Sequence, residues 1–188
     1  MYSLFLDTHD KNVVVVLYKD GVIVSNETIE SNNKHSVITV TTIKRILDNN
    51  RIEIKDINEM IVVTGPGSFT GVRIAVTIAK TIAYSLNIPI KTIDSLILLA
   101  VCIDNDKCVA IPDKNGAFIG YFDGSNKSLR DYVYVNKNEY EALLLKEKVY
   151  SNIDIDYEKV YEYLKNVDSI NPHSVKPLYI KGISALNG

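Results

Sequence analysis

Met60-Ile61-Val62-Val63-Thr64-Gly65-Pro66-Gly67-Ser68-Phe69-Thr70-Gly71-Val72-Arg73 is an apolar stretch that passes through a Gly/Pro turn straight into a helical pattern. The first five residues are β-branched or apolar and too few for a helix, so they read as a short buried strand. Three glycines and a proline in seven residues impose backbone angles that other residues avoid. The first N–H groups of the following helix lack intrahelical acceptors. Such a turn can cradle an anion, or it can pack closely and aim the helix behind it. Its spacing, Gly65-x-Gly67-x-x-x-Gly71, places the third glycine one residue late for a dinucleotide fingerprint, and no Lys-Ser/Thr pair follows as a P-loop requires. Arg73 alone does not replace that pair, and both uses stay open on spacing.

Downstream, Thr70 to Leu86 reads as the strongest helix of the chain. Arg73, Thr77, Lys80, Thr81 and Tyr84 share one narrow polar stripe, and Ala75, Ala79 and Ala83 form a small-residue line on the apolar side. Asn87 and Pro89 end it. Ile90 to Ile93 is again a strand, and Asp94 or Ser95 caps an apolar helix to about Ile103. Upstream, Ser3 to Leu6, Asn12 to Tyr18 and Val22 to Ile29 read as strands, the last two joined by the hairpin signal Lys19-Asp20-Gly21. From Lys34 to Asn49 the apolar residues Val37, Ile38, Val40, Ile43, Ile46 and Leu47 recur near helical period, with Ser36 or Asn33 as the cap. Arg51 to Glu59 is a polar connection. The first half is therefore βββαβαβα.

The second half is weaker in pattern. It reads as a strand at Cys108 to Ile111, a turn Asp113-Lys114-Asn115-Gly116, and paired strands at Ala117 to Phe122 and Leu129 to Val135 connected by Asp123-Gly124-Ser125-Asn126. Helices follow at Lys137 to Leu145 and Tyr157 to Lys165, then an extended segment Pro177-Leu178-Tyr179-Ile180. No short repeat, low-complexity tract or loose linker interrupts the chain.

The bulk properties set bounds. With 188 residues, 46% of them hydrophobic and 23% charged, the chain has ordinary globular composition. A formal net charge of −2 gives no global steering toward nucleic acid or an anionic membrane. Cys102 and Cys108 match neither a disulfide framework nor a zinc pattern and read as buried thiols. The start lacks a basic n-region, and no apolar run approaches the ~20 residues of a membrane span. A cytoplasmic location without membrane contact is expected.

Individual chemistries divide in the same way. Asp7-Thr8-His9-Asp10 is the type of acidic turn that approaches a metal and a phosphate, and equally an ordinary hairpin turn; Asp7 and Thr8 are the candidate nucleotide contacts. His9, His35 and His173 show no paired metal spacing, and Ser68 lies in no G-x-S-x-G elbow. Asp113, Asp123 and Asp131 fit turn chemistry better than acid–base work. Lys44, Arg45, Arg73 and Lys80 fit solvated helix faces.

Gly65-Pro66-Gly67-Ser68-Phe69-Thr70-Gly71-Val72-Arg73-Ile74, followed by Ala79-Lys80, Ala83-Tyr84 and Asn87-Ile88-Pro89-Ile90, resembles the signature of the bacterial TsaB/YeaZ family. Leu6-Asp7-Thr8, Lys34-His35-Ser36, Asp113 with Phe118, and Pro177 to Ile180 extend the resemblance over nearly the whole chain, weakly after Asp123. The resemblance implies an α/β fold of the actin-like, Hsp70-like and sugar-kinase (ASKHA, ribonuclease H-like) class in two lobes, here 1–94 and a shortened 95–188 whose end returns to the first. It implies a non-catalytic partner of the subunit that attaches a threonylcarbamoyl group to the adenosine beside the anticodon. That paralogue carries a metal-binding H-x-x-x-H, and the two positions fall on Ser95 and Leu99 in this chain, neither a usable ligand. No intrinsic cofactor is implied; ATP and metal would sit on partner subunits, one of them an ATPase, and tRNA would be met through the complex.

In the family the contact is made by the two first-lobe helices. The implied interface is Val37, Thr41, Lys44 and Arg45 with Arg73, Thr77, Lys80, Thr81 and Tyr84, and the same surface could form a homodimer when the chain is alone. The turn Gly65, Pro66, Gly67, Ser68, Phe69, Thr70 and Gly71 would then aim the second helix. The competing expectation is a nucleotide-binding phosphotransferase of the same superfamily, and a more distant one is a peptidase.

Overall fold

The computed structural model describes residues 1–32 and 34–180. Three antiparallel strands open it: β1 (Tyr2–Asp7), β2 (Asn12–Lys19) and β3 (Val22–Glu30). Asp20 (φ 51) and Gly21 (φ 85) both occupy the left-handed region between β2 and β3, as a two-residue hairpin turn of the right twist requires. Helix α1 (His35–Asn49) then crosses to β4 (Ile57–Val63), and α2 (Phe69–Leu86) to β5 (Ile90–Ile93), both strands parallel to β1. The resulting sheet has the order β3-β2-β1-β4-β5. β4 starts at Ile57 rather than Met60, because a one-turn 3₁₀ helix at Ile54–Asp56 already redirects the chain.

Helix α1 forms despite its β-branched residues because burial outweighs propensity. Ile43, Ile46 and Leu47 join Leu4, Val15 and Leu17 in one core, each contributing about 1.5–3 kcal/mol when fully buried. Among the described residues no side chain caps α1: Lys34 stands at the cap position, Ser36 lies inside the helix, and Asn33 lies outside the described residues. Ala75, Ala79 and Ala83 of α2 are each 0% exposed and let its backbone lie close on the sheet. Ser68 caps α2, and Asn87 ends it in the left-handed conformation (φ 53).

A second layer begins with α3 (Ser95–Ala100), which ends three residues before Ile103, the expected end. Its residues are apolar all round because it lies between two sheets: Leu98 faces the first, and Leu96, Leu99 and Ala100 face the second. The second sheet, in the order β8-β7-β6-β9, comprises β6 (Lys107–Asp113), β7 (Gly116–Phe122), β8 (Val133–Asn136) and β9 (Val149–Tyr150). β8 is shorter than Leu129 to Val135, since the Asp123 carboxylate gathers the amides of Ser125 and Lys127 into a turn and Tyr132 reaches across to Asp94. Helix α4 (Lys137–Lys146) follows β8, with Tyr140 and Leu143 packed on the outer face of this sheet.

Helix α5 (Tyr157–Leu164) returns to the first sheet, where Val160, Tyr161 and Leu164 pack with Phe5, Val16 and Tyr18. The segment after it stays there. Ile170 donates to Ile90 O (2.9 Å), Val175 is 1% exposed in the first core, and Leu178 donates to Thr64 O (2.8 Å). Residues 95–180 thus contribute to both layers.

Candidate partner interface and inter-sheet cleft

The Gly/Pro turn is clamped by backbone. Ser68 N–H donates to His9 O (2.6 Å), and Thr8 Oγ1 donates to Gly71 O (2.6 Å). A Cβ on Gly67 would collide with the His9 carbonyl oxygen, and one on Gly71 with that of Thr8. Ser95 N–H donates to Gly65 O (2.9 Å), and its hydroxyl donates to Pro66 O. The glycines therefore serve close approach between the β1–β2 turn and the start of α2.

The candidate nucleotide contacts are spent inside this clamp. The buried Asp7 carboxylate accepts from His9 N–H (2.9 Å) and lies 2.8 and 2.9 Å from His9 Nδ1. Burial by itself would lower the His9 pKa, but the charge and hydrogen bond of Asp7, helped by Asp10, outweigh it and hold the imidazole above its ordinary value. With Asp7 tied to His9, the Thr8 hydroxyl to Gly71 and the Ser68 amide to His9, these residues do not fit a magnesium–phosphate unit.

Ser95 and Leu99, which the resemblance sets at metal-ligand positions, are likewise packed into the structure. Ser95 is 0% exposed with its hydroxyl on Pro66 O, and Leu99 is 5% exposed against the second sheet. Among the described residues no group of three His, Cys, Asp or Glu could hold a metal ion.

Beside them, Asp94 caps α3 through Ile97 N–H (2.8 Å) and accepts from Tyr132 Oη (3.0 Å), joining the two layers. Burial pushes its pKa up to about 6, against the opposing pull of these hydrogen bonds. An acid whose folded value lies above its unfolded value of about 3.9 gives stability that is present below the unfolded value and lost as pH rises through the folded one. Stability should therefore fall by up to ~3 kcal/mol between about pH 4 and pH 6 from this group. Asp94→Asn keeps the cap and cannot ionise. Urea denaturation across that range should show a flatter profile for the variant; an unchanged slope would assign the dependence elsewhere.

The outward face of α1 and α2 combines exposed apolar and uncharged polar side chains. Val37 (62% exposed) and Val40 (54%) stand out from α1, and Thr70, Thr77, Thr81 and Ser85 form an uncharged crest on α2. Between the helices runs a groove of about 620 Å³ with Ile43, Leu47, Ile78 and Ile82 below and Lys44, Asp48 and Glu53 at the rim. Val37 and Val40, both apolar positions in the helical period of α1, are thus turned outward rather than into the core.

The structure divides the nine residues expected at a partner interface. Val37, Thr41, Lys44, Thr77 and Thr81 are exposed. Arg45 turns away to the Glu27 carboxylate on β3 (Nε to Oε2 2.9 Å). Lys80 donates to Val175 O (2.9 Å) and His173 O (3.3 Å), Tyr84 meets the His173 ring edge-on at 4.8 Å, and Arg73 Nε donates to Tyr179 Oη (2.7 Å). The last three are held by residues 172–180, a strap along the other flank of α2. The strap and the groove between α1 and α2 carry no local sequence signal, because each joins segments far apart in the chain, whereas Asp7 and His9 lie two residues apart within the acidic turn.

On the opposite side of the Gly/Pro turn a cleft of about 1140 Å³ opens between the sheets. His9, Lys11, Phe69 and Arg73 line it from the first layer, Ile111, Lys114 and Phe118 from the second, and Leu178 and Tyr179 from the strap.

Four likenesses bear on this arrangement. A family model described as "TsaD: tRNA N6-adenosine threonylcarbamoyltransferase" matches residues 23–166, well over half the chain. A Bacillus subtilis protein named tRNA threonylcarbamoyladenosine biosynthesis protein TsaB is 35% identical over 100 residues, covering 53% of this chain and 44% of that relative. The chain thus matches less than half of that relative's length. An uncharacterized Mycoplasma pneumoniae protein, the MG208 homolog, is 28% identical with 96% of this chain and 95% of its own covered. Among solved structures, a Pseudomonas aeruginosa protein described as similar to peptidase YEAZ superposes with TM-score 0.80 over 96% of this chain and 99% of its own. Its 15% identity shows the fold alone. With the five-stranded sheet, the clamped turn and these likenesses together, the chain belongs to the family of that threonylcarbamoyltransferase model and, within it, to the TsaB/YeaZ family.

Proposed function

We propose that the chain is a non-catalytic partner subunit in tRNA threonylcarbamoyladenosine biosynthesis, binding and stabilising a catalytic paralogue through the outward face of α1 and α2. The observation that carries this reading is that face itself: exposed valines, an uncharged threonine crest and an apolar groove, lying open in the isolated chain. Surfaces of that composition mark association sites. The spent Asp7 and Thr8 and the structural Ser95 and Leu99 support placing ATP, metal and chemistry on other subunits, the catalytic paralogue and an ATPase, with tRNA met through the complex. The same face can pair two copies of the chain when the paralogue is absent.

A test mixes the full chain with the paralogue from the same genome and measures complex mass and tRNA modification with and without it. A stable complex and a gain in modification are expected. Two proteins that elute separately would remove the reading.

The cleft of about 1140 Å³ is what favours the second reading, a nucleotide-binding phosphotransferase. Calorimetric titration with ATP and magnesium separates the two. No heat above dilution is expected, and micromolar binding would restore the phosphotransferase.

A further inference from the structure

Arg73 is a cation stacked on one exposed ring with a second beside it. Its guanidinium lies 3.6 Å from the ring centre of Phe69 and 5.7 Å from that of Tyr179, and the two rings are 5.6 Å apart. Its Nε is fixed on Tyr179 Oη, and among the described residues no carboxylate lies within ion-pair distance of it. Phe69 is 52% and Tyr179 51% exposed. A cation held over one ring and bonded through Nε to another side chain has lost rotamer freedom, and its terminal nitrogens keep the fork that matches a carboxylate. Arginine and aromatic residues in such clusters are the groups that dominate protein interfaces.

We propose that Phe69, Arg73 and Tyr179 form a preorganised receptor for a carboxylate of the protein partner, at the end of the α1–α2 face nearest the cleft. The inference rests on the reading of that face as the partner surface, with which it is continuous through Thr70 and Ile74 of α2. Charge decides for a protein carboxylate over a nucleic-acid phosphate. Among the described residues Asp10, Glu30 and Asp113 share the cleft wall with Lys11, Lys114 and Arg73, so the carboxylates there match the lysine and arginine cations and offer a polyanion little net attraction.

The test titrates the full chain into the catalytic paralogue by calorimetry, alongside Arg73→Lys, Arg73→Glu, Tyr179→Phe and Thr77→Glu, with tRNA binding and thermal melting of each chain measured in parallel. Arg73→Lys keeps charge but loses the planar fork and should weaken binding about tenfold, and Arg73→Glu about a hundredfold or more. Tyr179→Phe keeps the ring and drops only the acceptor, so it should bind within about threefold of wild type. If both Arg73 variants bind as wild type while Thr77→Glu does not, the receptor is overturned and the surface reading stands. If Tyr179→Phe alone reproduces the loss, or if tRNA affinity falls while paralogue affinity holds, the carboxylate receptor is again overturned. Wild-type binding by Thr77→Glu and Arg73→Glu alike would remove the surface reading and this inference together.

Discussion

Thr77→Glu is expected to abolish association with the catalytic paralogue and leave the fold intact. Thr77 stands on the exposed crest of α2, and its hydroxyl is not spent on a tertiary contact among the described bonds. Glutamate has the better helix propensity, and exposed substitutions of this type change stability by only about ±0.5 kcal/mol. In a complex the same position would bury a carboxylate without a partner, which costs roughly 3 kcal/mol or more and corresponds to about a hundredfold in Kd. The check is co-purification and calorimetry with circular dichroism as the control for folding. Undiminished binding would move the interface off the crest.

Gly71→Ala is expected to have the largest effect on stability. Its Cβ would enter the Thr8 carbonyl oxygen, a backbone atom already positioned by the β1 and β2 strands, and the Thr8 hydroxyl is bonded to the Gly71 carbonyl in the same contact. Relief would require α2 to move off the β1–β2 turn. Overpacking against backbone of this kind costs about 3 kcal/mol or more, a large part of a typical domain's stability. Gly67→Ala should behave similarly through the His9 carbonyl. Chemical denaturation of both variants is the measurement, and a midpoint close to wild type would show that the clamp yields easily. Gly124→Ala is the comparison, since a Cβ there meets nothing nearer than 3.2 Å.

Much of the first layer was legible in the sequence for local reasons. Asp20-Gly21 suits the left-handed turn, Asn87 ends α2 in that conformation, Asp94 caps α3, and the stripe of α2 follows from a period of 3.6. The second layer was less legible because its strands are short and its turns are held by side chains from elsewhere. The Leu129 to Val135 strand lost its first half to the reach of Tyr132 toward Asp94, a contact 38 residues apart in sequence. Polar periodicity along α2 likewise could not distinguish residues without a tertiary contact from those that also hold the chain's own strap. Arg73, Lys80 and Tyr84 share the stripe with Thr77 and Thr81, and only the arrival of residues 172–180 separates the two sets.

The Gly65 to Gly71 turn divides what sequence and tertiary structure each contributed. Sequence alone established a strand–turn–helix with N-terminal backbone donors and the family signature around it, because glycine, proline and apolar period act within a few residues. What those glycines are for was decided only by the fold. The sheet brings Thr8 and His9 against Gly71 and Gly67, so the turn is filled by carbonyl oxygens of the same chain. That juxtaposition depends on the pairing of β1 with β4 some 56 residues away, a long-range contact that no local pattern encodes.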